Sequence, residues 1–111
     1  MKIRNAAMYD INEITAVESA CFPEAEAATR EEFEKRLAHY ADCFWLMTDD
    51  NGKIISFVDG MATDRRDLTD EMYENAALHD PNGRWQMIFG VNTLPEYRRR
   101  GYAEALLRRV A

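Results

Sequence analysis

Residues 98 to 103 combine the residue types that bind a phosphate anion. Three consecutive arginines precede Gly101, and Ala103 follows at the predicted start of a helix. The first backbone N–H groups of a helix have no partner within the helix, and the helix dipole favours negative charge there. Small residues let phosphate oxygens approach, and arginines add charge-assisted hydrogen bonds. The pattern predicts a pyrophosphate site; the alternative is an ordinary strand-to-helix connection with solvated arginines.

Titratable side chains in several loops are candidates for binding a cationic group or for drawing a proton from it. A carboxylate in such a position attracts an ammonium ion, directly or through water. The alternative is that each is a solvated loop charge, because acidic residues are mostly exposed. The candidates are Glu24, Glu26, Asp59, Asp64 and His79.

Aromatic side chains are candidates for the wall of an apolar pocket. They are Phe22, Trp45 and Trp85. Aromatic residues in such positions also serve as ordinary core, so both interpretations stay open.

Two helices are predicted before the middle of the chain. Residues 1 to 6 fit an opening strand, after which Asp10 is expected to cap a helix that Pro23 ends. Thr29 stands three residues before Glu32, which is the spacing of a capping box. A second helix is therefore predicted over about residues 30 to 39, with Phe33 on its buried face.

The second half of the chain alternates strands with connections. The apolar runs 44–47 and 54–58 flank an Asn-Gly turn, which predicts a β-hairpin. A short helix is predicted within 67–78, and a strand over 85–93, where Gly90 indicates a bulge or a close backbone approach. A last helix follows from residue 102.

Composition limits the classes of function. The 111 residues form one domain, and 47% hydrophobic with 31% charged residues is ordinary globular composition. A net charge of −6 argues against a nucleic-acid binder, because such proteins need surplus Lys and Arg. The chain has no apolar run that would span a membrane, so a cytoplasmic location is expected. Cys21 and Cys43 lack metal-binding spacing, and no metal is predicted.

The stretch from Val91 to Leu107 resembles the signature of the GNAT family of N-acetyltransferases. It has a strand, then Pro-x-Tyr-Arg, then Arg-x-x-Gly-x-Ala. The opening residues 3–6 and the Cys-Phe-Pro at 21–23 are also similar, and residues 68–83 resemble the arylalkylamine (serotonin-type) branch. The resemblance covers nearly the whole chain and about the N-terminal two-thirds of the usual fold, so that the C-terminal part of that fold is missing.

The resemblance implies an α/β (α+β) fold, with a mixed, mostly antiparallel sheet flanked by helices in the order β-α-α-β-β-(α)-β-α, truncated after the motif helix. It also implies direct transfer of an acetyl group from acetyl-CoA to a small, arylalkyl-type primary amine. The cofactor would contact Val91, Thr93, Arg98, Arg99, Arg100, Gly101, Tyr102 and Ala103. The amine would contact Phe22, Pro23 and Glu24.

The resemblance leaves the acid and the base of this reaction unassigned. Enzymes of the arylalkylamine branch carry two histidines on the strand where this chain has Met87 and Phe89. The tyrosine that many members use as an acid would lie beyond Ala111. A catalytically silent CoA-binding or interaction domain, or an inactive fragment, is therefore the alternative function. A truncated fold also exposes the 85–93 strand as a sheet edge, which predicts a homodimer or strand exchange.

Overall fold

The computed structural model describes residues 1–110. The helices are α1 (Ile11–Cys21), α2 (Arg30–Tyr40), α3 (Asp70–Glu74) and α4 (Tyr102–Val110). The strands are β1 (Lys2–Asn5), β2 (Phe44–Thr48), β3 (Ile54–Asp59), β4 (Ala62–Thr63), β5 (Trp85–Gln86) and β6 (Gly90–Thr93). Within these residues, no helix has both the length and the apolar character needed to cross a membrane.

The main sheet has four strands in the order β1-β2-β3-β6, and all of its neighbours are antiparallel. Strands β4 and β5 form a separate two-stranded sheet. The predicted α+β fold, an antiparallel sheet flanked by helices, is confirmed. Strand β6 is an edge strand within residues 1–110. The self-association expected from such an edge stays a prediction.

The start of α2 follows its sequence prediction, whereas the start of α1 does not. Thr29 Oγ1 accepts the Glu32 N–H at 3.2 Å, and the Glu32 carboxylate accepts the Thr29 N–H at 3.2 Å, so the capping box is present. Asp10 makes no side-chain cap. Its carboxylate instead accepts two hydrogen bonds of 2.8 Å from Arg4 and one of 2.9 Å from the Ala7 N–H. The predicted cap is therefore wrong, because a cation within reach occupies the carboxylate.

The predicted hairpin is confirmed as β2 and β3. In its turn, Gly52 has a φ of +83°, a conformation that glycine adopts without strain. The Asp49 carboxylate accepts the N–H groups of Asn51 and Lys53 at 2.9 Å. This places β3 in the centre of the sheet, where all of its residues are buried.

The strand predicted over 85–93 is divided into β5 and β6. Main-chain bonding continues across the break, because Met87 N–H donates to Met61 O at 2.9 Å and Phe89 N–H donates to Asp59 O at 2.7 Å. The bulge expected at Gly90 is present, because the pairing register shifts by one residue between Ala62↔Gln86 and Asp59↔Gly90. A close backbone approach occurs opposite, at Gly60, where an added Cβ would lie 1.8 Å from Met87 O. The extra residue and the contact at Gly60 both lie where the chain passes from the two-stranded sheet to the main sheet.

Helices cover both faces of the main sheet. Helices α1 and α2 pack on one face around an edge-to-face and tilted cluster of Phe33, Phe44 and Phe57, whose ring centroids lie 5.3 to 6.0 Å apart. Helix α4 packs on the other face through Leu106, which is fully buried. The sheet therefore holds the start of α4 beside the edge of β6.

Candidate active site

A cleft of about 460 Å³ lies between the edge of β6 and the start of α4, and we call it the strand–helix cleft. Residues from three parts of the chain line it: Cys21, Phe22, Val91, Thr93, Tyr97, Arg98, Arg99, Gly101, Tyr102 and Ala103. The structure thus brings the predicted cofactor residues together, except Arg100. The Arg100 guanidinium lies instead over the Tyr97 ring, 5.5 Å from its centroid.

The turn before α4 exposes a series of backbone donors. Arg99 and Gly101 have positive φ angles of +63° and +79°. The first hydrogen bond of the helix is donated by the Ala105 N–H to Gly101 O, at 3.0 Å. Among residues 1–110, no acceptor pairs with the N–H groups of residues 99 to 104. Successive unpaired amides in such a turn form an anion-binding concavity, and the helix dipole adds to it.

The edge of β6 turns main-chain groups toward the same cleft. Leu94 N–H donates to Ile55 O at 2.9 Å, so residue 94 is bonded to β3. Because hydrogen-bonding direction alternates along an antiparallel strand, the main-chain groups of Thr93 and Val91 point away from β3. The carbonyl of Thr93 accepts hydrogen bonds from Arg98 Nε at 3.1 Å and from Cys21 Sγ at 3.3 Å.

A second cavity of about 430 Å³ lies on the other side of Phe22, and we call it the acidic pocket. Its wall carries five acidic side chains and one basic one: Glu18, Glu26, Glu32, Asp59, Glu74 and Arg36. The rest of the wall is aromatic or small: Phe22, Ala25, Ala27, Ala28, Tyr73, Phe89 and Gly90. Phe22 borders both cavities, which are therefore neighbours.

The Glu18 carboxylate connects three segments that form the wall of the acidic pocket. It accepts the Ala28 N–H at 2.7 Å and the Asn92 side-chain amide at 2.7 Å. One buried carboxylate thus joins α1, the loop before α2, and β6. A buried carboxylate requires such donors, because an unpaired one would be costly.

Arg36 and Asp59 form a buried ion pair beside the acidic pocket. Arg36 Nη1 lies 3.1 Å from Asp59 Oδ2, and Asp59 is 1% exposed. Burial raises the pKa of Asp59 to about 6; Arg36 lowers it and the nearby Glu18 raises it further. A carboxyl group with this pKa changes protonation near neutral pH.

Residues 8–111 match the family model described as Acetyltransferase (GNAT) family. The chain belongs to the GNAT family. A search of curated proteins gives no sequence match.

Solved GNAT structures superpose on almost the whole chain. The GphF GNAT-like decarboxylase in complex with isobutyryl-CoA has a TM-score of 0.86 at 25% identity, over 99% of this chain and 57% of that one. The loading GNATL domain of CurA from Lyngbya majuscula has a TM-score of 0.85 at 21% identity, over 98% and 55%. The ribosomal-protein-S18-alanine N-acetyltransferase from Escherichia coli has a TM-score of 0.67 at 16% identity, over 98% and 56%. This chain spans little more than half the length of these proteins.

The residues predicted to contact an amine are separated in this GNAT chain. Phe22 lies between the two cavities, whereas Glu24 lines a third cavity of about 430 Å³. Pro23 is exposed and lines none of the three cavities described for residues 1–110. Of the three, the structure therefore puts Phe22 beside both the strand–helix cleft and the acidic pocket.

The other sequence candidates divide between the acidic pocket and unrelated places. Glu26 and Asp59 line the acidic pocket. Asp64 accepts the Arg84 N–H at 3.1 Å, and His79 Nδ1 accepts the Ala62 N–H at 3.0 Å, so both have local structural roles. Two further aromatic candidates lie outside the cavities: half-buried Trp45 packs on the α4 face of the sheet, and exposed Trp85 belongs to β5.

Three buried polar residues near the acidic pocket were not predicted as site residues. Glu18 and Arg36 interrupt the apolar faces of α1 and α2, and Asn92 occupies an inward position of β6. A charged residue at an apolar helical position is the one sequence signal that could have found Glu18 and Arg36.

The fold also brings together Asp42, Cys43 and His79, whose possible ligand atoms lie within 4.8 Å of one another. The sequence has no local Cys-His pattern, so it did not indicate this cluster. His79 Nδ1 already accepts the Ala62 N–H, so the neutral ring carries its proton on Nε2. Neither ring nitrogen then has a free lone pair, and a metal ligand needs one.

Proposed function

We propose that this GNAT domain transfers an acetyl group from acetyl-CoA to a small primary amine. The observation that carries the proposal is the row of unpaired N–H groups at residues 99 to 104, which borders the strand–helix cleft. These donors suit the CoA pyrophosphate, with the guanidinium groups of the same turn adding charge.

The edge of β6 supports the placement of the rest of the cofactor. The outward main-chain groups of Val91 and the outward N–H of Thr93 suit the amides of the pantetheine arm, whereas the Thr93 carbonyl already accepts from Arg98 and Cys21. That direction of binding would carry the thioester along β6 toward Gly90 and the acidic pocket. A main-chain N–H on β6 would then stabilise the oxyanion that forms during transfer.

The acidic pocket supports a cationic acceptor. Five acidic side chains against one arginine attract an ammonium ion and disfavour an anion. The Tyr73 and Phe89 rings pack at an interplanar angle of 33° with their centroids 4.7 Å apart, and with Phe22 they provide aromatic surface in the same wall. An arylalkylamine matches this combination of charge and aromatic surface.

The reaction is a direct substitution at the thioester carbon. The ammonium group of the acceptor first loses a proton. Its nitrogen lone pair then forms the new N–C bond, the C–S bond breaks, and the CoA thiolate leaves and takes up a proton.

A second candidate function is decarboxylation of an acyl-CoA. It is favoured by the TM-score of 0.86 with the GphF decarboxylase, against 0.67 for the S18-alanine N-acetyltransferase. The acidic pocket argues against it, because a carboxylate-bearing acyl group would meet five acidic side chains and an arginine already paired with Asp59. Amine transfer is therefore the function we propose first.

Three measurements on the 111-residue chain test the proposal. Calorimetry with CoA is expected to show binding, and thiol release from acetyl-CoA is expected with 2-phenylethylamine. CoA binding without turnover of any amine would favour the silent CoA-binding domain. Release of carbon dioxide from malonyl-CoA without amine acetylation would favour the decarboxylase, and failure to bind CoA would contradict all three functions.

A further inference from the structure

Asn92 has a buried oxygen without a donor beside Gly90, a residue that lines the acidic pocket. The residue is 1% exposed, and its Oδ1 has no hydrogen-bond partner within residues 1–110. The orientation of this amide is fixed, because its nitrogen donates to the Glu18 carboxylate, which can only accept. A buried acceptor without a donor is costly unless a ligand or water supplies one.

Asp59 Oδ1 is a second oxygen beside Gly90. Asp59 Oδ2 accepts from Arg36, whereas no donor within the described chain pairs with Oδ1. An added Cβ on Gly90 would lie 3.2 Å from Asn92 Oδ1 and 3.7 Å from Asp59 Oδ1. The missing side chain of Gly90 therefore leaves a gap that both oxygens border, on the wall of the acidic pocket. We call this gap the Gly90 seat.

We propose that the Gly90 seat binds the primary ammonium group of the acceptor, with Asn92 Oδ1 and Asp59 Oδ1 accepting its N–H groups and Asp59 taking up its proton. This inference rests on the proposed amine transfer and assigns the base that the sequence left open. A primary ammonium offers three N–H donors, so it can satisfy both oxygens at once, whereas a quaternary ammonium offers none.

The proton step balances without another reactant. An N–H bond of the ammonium breaks, its hydrogen joins Asp59 Oδ1, and the electron pair stays on nitrogen for attack on the thioester carbon. The positive charge of the ammonium is lost together with the negative charge of the carboxylate. The protonated Asp59 then releases its proton to water through the acidic pocket.

The surroundings of Asp59 determine when it can accept a proton. Arg36 of α2 pairs with its carboxylate, Glu18 of α1 acts on it as a second negative charge, and the buried Tyr40 hydroxyl lies near it. Glu32 of α2, Glu26 of the loop before it, and Glu74 of α3 line the same pocket. Since the pKa of Asp59 is about 6, the carboxylate is the main form at pH 7 and its conjugate acid still loses the proton readily.

A pair of matched probes tests the seat without requiring turnover. With CoA present at saturation, calorimetry compares 2-phenylethylamine with its N,N,N-trimethyl analogue, which has the same charge and ring but no N–H. We expect the primary amine to bind about tenfold more tightly, in line with hydrogen bonds to charged groups. Gly90→Ala fills the gap and is expected to remove this preference while CoA affinity stays within about twofold.

The pH dependence of turnover tests the role of Asp59 as the base. In the wild-type chain, kcat/KM for the amine is expected to rise through a limb near pH 6. Asp59→Asn is expected to lose this limb and to lower kcat about a hundredfold or more. Asp67→Asn makes the same chemical change on an exposed loop and serves as the control.

Failure of the seat can be told apart from failure of the proposed function. Equal binding of the two probes, or Gly90→Ala leaving the preference intact, would overturn the seat while CoA binding and amine transfer stand. An unchanged limb in folded Asp59→Asn would overturn the role of Asp59. If that variant does not fold, the wild-type pH profile decides the role of Asp59, because a profile without a limb near pH 6 would overturn it.

Discussion

The guanidinium of Arg36 donates to the Asp59 carboxylate at 3.1 Å, and the two side chains are almost fully buried. Arg36 Nε has no partner within residues 1–110, so its pairing with Asp59 is the principal compensation for a buried cation. The pair therefore joins α2 to the end of β3 and also fixes the charge beside the Gly90 seat.

The burial of Asp59 predicts an unusual pH dependence of stability. Because the folded pKa of Asp59 is raised to about 6 from 3.8, the folded state binds more protons than the unfolded state between these pH values. The contribution of Asp59 to the free energy of unfolding is therefore present below about pH 4 and is lost as pH rises through 6. Urea unfolding at pH 4, 5, 6 and 7 should show this fall in the wild-type chain relative to Asp59→Asn. Parallel pH profiles for the two proteins would contradict it.

Substitution of Gly101 tests the predicted pyrophosphate site. Gly101→Glu places a side chain and a negative charge beside the unpaired amides, and it is expected to weaken CoA binding at least about tenfold. Gly52→Glu is a matched control, because Gly52 has a similar φ of +83° and is also free of neighbours within 4 Å of an added Cβ. Both changes cost about 1 kcal/mol of stability through the positive φ. Calorimetry that shows equal CoA affinity in the two variants would mean that the turn does not bind CoA.

Arg99 adopts a conformation that glycine adopts more easily. With a φ of +63°, it is the only non-glycine residue with a positive φ within residues 1–110. Arg99→Gly is expected to raise the free energy of unfolding by about 0.5 to 1 kcal/mol, while the loss of charge weakens CoA binding. Arg100→Gly removes the same charge without relieving strain and should not stabilise the protein. Thermal and urea unfolding of the two variants distinguish these outcomes.

The thiol of Cys43 is predicted to react slowly. Burial first, and then the negative charge of Asp42, raise the pKa of this thiol to about 11. In Cys21→Ser, where Cys43 is the remaining thiol, alkylation by iodoacetamide at pH 8 should be roughly a hundredfold slower in the folded chain than in urea. Mass spectrometry measures both rates, and similar values would show that Cys43 is not protected by burial.

Features that depend on residues close together in the sequence were predictable. The Thr29–Glu32 capping box, the turn at Gly52 and the 98–103 turn each depend on residues within one or two turns of chain, so their local chemistry is readable. For this reason the sequence identified most of the residues that line the strand–helix cleft.

Features that depend on distant residues were not predictable in the same way. Arg36 and Asp59 are separated by 23 positions, and Glu18 and Asn92 by 74. No local pattern says that these pairs meet. The predicted Asp10 cap failed because Arg4, six positions away, takes its carboxylate, and the 85–93 strand divides where it gains one residue relative to residues 59–62. The first error came from a competing partner close in sequence, and the second from pairing with a distant segment.

The Ala28 N–H donates to Glu18, so the exchange of this one amide hydrogen reports on the wall of the acidic pocket. The other oxygen of the same carboxylate accepts the Asn92 amide, so an opening that draws Glu18 away from both partners exposes the Ala28 N–H to water. The rate at which this single hydrogen exchanges for deuterium would therefore measure how often the pocket wall opens, and a ligand bound between α1 and β6 would slow it.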